Sequence, residues 1–212
     1  VEHVDQKIGV HRMLDATFRD NPGLMKACPK YLIGDLVSKI VENGRFPEYL
    51  VLLSSVTCAG EMNILEKQFE VILSISAPDN AKSVLQYFCS VDHSEYQKKS
   101  KLMAPYTNKK FLSEEDLPVD LAYHLELVKV MTGCTVGRIN ITSVEAKVQS
   151  LWNFVDVVNS ILDNNSPLLI RTRLAYFFYH AMVDVEMKLP NLHYAQCVWD
   201  LMATFNEVFA AA

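Results

Sequence analysis

Apolar residues recur along this chain at helical spacing, and almost nothing in it supports any other period. Ile170, Leu174, Phe177 and Ala181 fall at i, i+4, i+7 and i+11, with Phe178, Met182 and Val185 widening the same face. Leu65, Phe69 and Ile72 repeat the pattern, and Leu151, Val155, Val158 and Leu162 predict another helix of the same kind. Strands would need alternating runs bounded by Asn-Gly or Asp-Gly turns, and with only 7 glycines and 8 prolines the chain lacks that punctuation. An all-α fold follows.

Turn chemistry places the boundaries. Asn43-Gly44 ends a helix begun near Leu32, Pro47 starts the next, and Gly60 ends it. A helix from Asn63 to about Ser74 follows, broken by Ala77-Pro78-Asp79-Asn80. Pro118 begins the helix through Tyr123 and Leu127, behind acidic Glu114-Glu115-Asp116. Asp163-Asn164-Asn165-Ser166-Pro167 reads as a loop with Ser166 as N-cap and proline in the first turn. Three short helices before Ser74 and three after Pro118 give a rhythm of about 40 residues, that of armadillo or HEAT units. The expected architecture is one helical repeat domain over 1–212, a right-handed solenoid, with 92–116 as an irregular, partly flexible insertion.

Hydrophobic residues make up 50% and charged ones 21%, the balance of a chain that folds. A net charge of −5 offers no basic footprint for nucleic acid. The five cysteines are too far apart for a CxxC pair and predict free thiols in a reducing compartment. Asn140-Ile141-Thr142 and Asn164-Asn165-Ser166 fit the glycosylation tripeptide and are read as unused. No apolar run approaches the roughly 20 residues that cross a bilayer, so direct membrane insertion is not expected. The Val1-Glu2-His3 start and Ala210-Ala211-Ala212 ending predict a piece cut from a longer chain.

The run Thr132-Gly133-Cys134-Thr135-Val136-Gly137-Arg138 invites chemistry and then fails each test for it. His124, as base for a Cys134 nucleophile, lies about 15 Å away along a helix axis. Arg138 follows Cys134 too soon for a phosphatase-type phosphate cradle. Gly133 and Gly137 are one residue too close for the GxxxxGK[ST] loop, and Ile139 stands where its Ser or Thr belongs. A helix end with Gly133 or Gly137 in a left-handed cap and Arg138 at the negative dipole accounts for the same residues. His180 and Asp184 sit one turn apart, but no further ligands complete a metal site. The cations left as candidate anion or partner contacts are Arg138, Arg171, Arg173, Lys98, Lys99 and Lys101. Tyr176-Phe177-Phe178-Tyr179 covers every side of a turn, as in a helix buried among neighbours, and Trp152, Phe154, Trp199 and Phe205 are expected to pack rather than line a ligand box. No enzyme, cofactor or metal is expected.

Two groups of residues carry a family resemblance. Tyr123-His124 with Leu127-Val128, then Cys134-Thr135-Val136-Gly137-Arg138, then Val183-Asp184-Val185-Glu186-Met187-Lys188, stand in one order. Upstream are Glu42-Asn43-Gly44-Arg45, Tyr49-Leu50, Ala59-Gly60-Glu61-Met62 and Phe69-Glu70. Together they resemble the inositol trisphosphate receptor family of calcium release channels, in the second homology domain shared with ryanodine receptors. The likeness covers Leu24 to Leu73 and Leu121 to Lys188. It implies an armadillo solenoid on the cytosolic side of a tetrameric channel of the endoplasmic reticulum or another calcium store. Such a solenoid relays ligand-induced movement toward the pore and contacts other domains and subunits. Inositol phosphate is not expected to bind here. A free-standing helical-repeat adaptor holding a peptide, and a first solenoid that does bind inositol phosphate, are the alternatives.

Overall fold

The computed structural model describes residues 3, 4, 6, 8–59, 62–107, 109, 112–137 and 142–210. Their secondary structure is helical apart from one minimal hairpin, as the periodicity predicts. The helices are α1 (Val10–Phe18), α2 (Pro22–Ala27), α3 (Lys30–Asn43), α4 (Pro47–Ser55), α5 (Leu65–Ser76), α6 (Pro78–Val84) and α7 (Ser94–Met103), followed by α8 (Val119–Gly133), α9 (Thr142–Leu151), α10 (Phe154–Leu162), α11 (Leu168–Phe178) and α12 (Gln196–Ala210).

Local chemistry sets their ends. Pro22, Pro47 and Pro78 occupy first-turn positions whose amides lack helical partners in any case. The side chains of Asn21 and Asn153 cap α2 and α10 by accepting from Leu24 and Val155. Gly44, at φ 106°, stops α3.

Four expectations need correction. Leu151 does not share a helix with Val155, Val158 and Leu162: the chain breaks at Trp152-Asn153, where Asn153 starts α10, and apolar spacing simply continues across the break. α4 ends at Ser55, well before Gly60, which lies outside the described residues; Cys58–Ala59 (β1) and Met62–Asn63 (β2) then pair antiparallel. Ser166 does not cap α11, because the helix begins one residue later with Pro167 at the cap. The stretch 92–116 carries the ten-residue helix α7 and the 3-10 turns Ala104–Tyr106 and Glu114–Asp116.

One apolar core runs from Val4 to Leu201. Helix α8 lies at its centre and buries Leu121, Tyr123, Leu125, Leu127, Val128, Val130 and Met131, so it has no solvent face of any width. It packs on α4 to one side and α11 to the other; α4 continues to α1, and α11 to α10 and then α12. Behind this row α3, α5 and α6 pack on one another, and α5 reaches α9. The aromatic turn of α11 is divided: Phe177 and Phe178 are buried, while Tyr176 and Tyr179 are about half exposed. Trp152 is core, but Trp199 is exposed, its indole N–H donating to the His193 carbonyl at 2.9 Å. Among the described residues no helix is long and apolar enough to cross a membrane.

Candidate functional site

The Thr132–Gly137 run is the end of α8, and it is gripped from outside. The buried Gln68 of α5 donates both amide hydrogens across the core, to the Gly133 carbonyl at 2.7 Å and the Val136 carbonyl at 2.9 Å. These are acceptors that a helix end leaves without partners. Gly133 is helical, and a Cβ there would overlap the Thr57 hydroxyl and come within 3.3 Å of Thr57 Cβ. Gly137 has the positive φ, 82°, and a Cβ on it would meet Asn63 Cβ at 2.9 Å. Of the two glycines only Gly137 is left-handed; Gly133 is required instead for close approach of α8 to the hairpin. Arg138, expected beside them, lies outside the described residues, as do Asn140 and the Gly60-Glu61 pair.

Cys134 and His124 are fully buried. Burial drives the Cys134 thiol far above its ordinary range, so no thiolate forms there. Burial, assisted by the nearby Lys99 charge, holds His124 well below 6.5 and therefore neutral. His180 packs its ring against the edges of Tyr176 and Tyr179, at 4.4 and 4.9 Å between centroids. No group of three or more His, Cys, Asp or Glu comes together for a metal ion among the described residues.

The candidate cations do not converge. Arg171 donates to the Ile161 carbonyl at 2.6 Å and so closes the end of α10. Arg173 pairs with Glu114 at 3.1 Å, and Glu114 also takes Lys129, which pairs with Glu126; both Lys129 contacts are 2.6 Å. Burial works against the Glu114 carboxylate, but its two cationic partners outweigh that and hold its pKa below the ordinary value. At Glu126 burial wins over Lys129 and the pKa rises. Lys98 and Lys101 are exposed, whereas Lys99, between them in the basic cluster, is wholly buried.

Arg173, Glu114, Lys129 and Glu126, though not Arg171 or the lysines of α7, line an open groove of about 700 Å³ between α1, α4, α8 and the 114–116 turn. Arg12 and Glu115 pair across its rim at 3.2 Å, and Glu48, Asp15 and Arg19 complete a mixed-sign wall. The Val183–Lys188 motif is clamped as Gly133 is. The buried Glu145 carboxylate of α9 accepts the amides of Glu186 and Met187 at 3.2 and 2.9 Å, and Gln149 donates to the carbonyls of Ala181 and Met187. Gln68 and Glu145 were not foreseen. Their one visible signal is a polar residue in the apolar phase of its helix, Gln68 beside Leu65 and Ile72, Glu145 beside Val144 and Val148.

No protein-family model matches the chain. It is similar to a segment of the inositol 1,4,5-trisphosphate receptor itr-1 of Caenorhabditis elegans, with 26% identity over 194 residues that span 92% of this chain and 6% of that protein. The chain thus spans a small fraction of the length of the curated relative it matches.

Proposed function

We propose that this chain is a regulatory helical segment of an inositol trisphosphate receptor-type calcium release channel. It sits on the cytosolic side of the endoplasmic reticulum or another calcium store and passes ligand-induced movement toward the pore. Its partners are neighbouring domains and subunits of the tetramer. The observation that carries this reading is similarity to a receptor segment along 92% of the chain.

The packing supports a solenoid of the armadillo type. Each helix in the row α1, α4, α8, α11, α10, α12 packs on the next, so small rotations at successive contacts can add along it. The motif residues suit a relay because they are rigid joints: Gln68 ties α5 to the end of α8, and Glu145 ties α9 to the chain after α11. The role is mechanical; among the described candidate cations Arg171 and Arg173 are committed to protein partners and Lys99 is enclosed, which favours this over an inositol phosphate site.

The test separates binding from release in the full-length gene product. Gln68→Leu is expected to leave inositol trisphosphate binding within about twofold of the unsubstituted protein, a change of under half a kcal/mol. Most of the calcium released from store vesicles should be lost. Release unchanged by this substitution, or no release by the unsubstituted protein, overturns the reading. The groove favours one alternative, a free-standing adaptor holding a peptide; a gene product without membrane-spanning helices would support it.

A further inference from the structure

Three polar atoms end without a partner where α7, α8 and the α9–α10 break meet. Lys99 Nζ, His124 Nε2 and Trp152 Nε1 have no hydrogen-bond partner among the described residues, and their residues are 0%, 0% and 1% exposed. They belong to one cluster. Lys99 Nζ lies 4.5 Å from the Tyr96 ring centroid and 5.3 Å from that of Trp152, and the His124 and Trp152 rings are 6.1 Å apart. Phe88, from the loop 85–93, packs on both Trp152 and His124 at 4.6 and 5.8 Å and closes the cluster from that side. Folded proteins rarely leave so many buried polar atoms unsatisfied in one place, and ordered water is the usual remedy.

The donor and acceptor count identifies the ligand. His124 Nδ1 stands 3.0 Å from the Gln86 carbonyl oxygen, which can only accept, so Nδ1 carries the hydrogen and Nε2 presents a lone pair. Lys99 and Trp152 present only N–H donors. Two donors and one acceptor are the complement of a water molecule, which accepts twice and donates to the imidazole. An anion would face the His124 lone pair, and a metal cation would face the Lys99 ammonium. The other titratable groups near Lys99 are Cys89 on the loop and Asp163 after α10. Asp163 accepts from the Tyr96 hydroxyl at 2.9 Å.

We propose that Lys99, Trp152 and His124 hold one internal water molecule, and that this water is the hydrogen-bonded link between α7, α8 and the α9–α10 break. The link adds hydrogen bonds to the ring and cation–ring contacts at this junction and gives the buried ammonium a ligand.

The chain has two tryptophans, so its indole N–H resonances are two, and Trp199→Phe assigns them. In the unsubstituted chain the Trp152 indole proton is expected to show a cross-peak to a long-lived water and to exchange slowly with solvent. Lys99→Met should move the Trp152 resonance and remove that cross-peak while leaving Trp199 in place. A slowly exchanging Trp152 indole with no water cross-peak would overturn the proposal, and that measurement needs no variant. A cross-peak that survives Lys99→Met at full strength would remove Lys99 from the site and also overturn it as stated.

Discussion

At Gly133 a single hydrogen in place of a side chain lets α8 touch the chain before the hairpin. Alanine there would raise helix propensity by about 1 kcal/mol, but its methyl would overlap the Thr57 hydroxyl, which is fixed by its own bond to the Ser54 carbonyl at 2.8 Å. Crowding by one group in a packed core costs roughly 1–3 kcal/mol, so Gly133→Ala is expected to lower the urea midpoint. Thr57→Ala in the same chain should recover part of the loss. Lys99 gives the other residue-level prediction. Burial lowers its pKa to about 8 from 10.5, so between those values the unfolded chain binds a proton that the folded chain does not. The contribution of this group to stability therefore rises with pH across that window, and below it the buried ammonium costs roughly 3 kcal/mol. Lys99→Met is expected to be more stable than the unsubstituted protein at pH 7, by roughly 1–3 kcal/mol, with the advantage shrinking toward pH 10. Comparing the two proteins by urea unfolding at both pH values cancels the thiols and phenols that titrate nearby. A constant difference would refute the assignment.

Between elements the decisive contacts are side chains that take hold of a distant main chain. Gln68→Leu leaves the Gly133 and Val136 carbonyls buried with no amide from α5, and at about 1–3 kcal/mol for each unsatisfied acceptor the expected loss is roughly 2–6 kcal/mol. Gln68→Glu should be worse at neutral pH, since it sets a carboxylate against two carbonyl oxygens; thermal unfolding of both variants checks the order. Glu114→Gln at the exposed groove should cost under about 1 kcal/mol, because partly solvated ion pairs contribute little. The same contrast explains what was legible. Asn43-Gly44, Pro47 and Pro118 mark their boundaries through local chemistry, and those boundaries are where the sequence places them. The Trp152-Asn153 break was missed because apolar spacing survives a one-turn interruption. Arg171 and Arg173 are visible as charge, but their partners, Ile161 and Glu114, are a property of packing. The Gln68 clamp spans 65 positions and leaves only a polar residue out of phase.

Across the whole molecule, the helical class was readable from period and composition, whereas the order in which helices meet was not, since α4 neighbours α8 through contacts distant in sequence. That order makes stability uneven. Helix α1 has no fully buried residue; it rests on α4 and on an Arg12–Glu115 pair whose side chains are 74% and 80% exposed. Helix α8 is enclosed between α4 and α11. Amide exchange should therefore be fastest in α1 and slowest in α8, where it requires global opening. Besides the packing of α3 on α4, the hairpin and Gln68 tie the group of α3, α5 and α6 to the end of α8, so weakening that tie should affect cooperativity as well as stability. In the unsubstituted chain, loss of helix by far-ultraviolet dichroism and exposure of Trp152 by fluorescence, read with Trp199→Phe as background, are expected to coincide in one transition. In Gln68→Leu, built on the same background, part of the helical signal should be lost at lower denaturant than the Trp152 signal, because the group of α3, α5 and α6 loosens while the packing around α8, α10 and α11 persists. Coincident transitions at a lower midpoint would mean that α8 holds the two groups together without the clamp, and that Gln68 supplies stability alone.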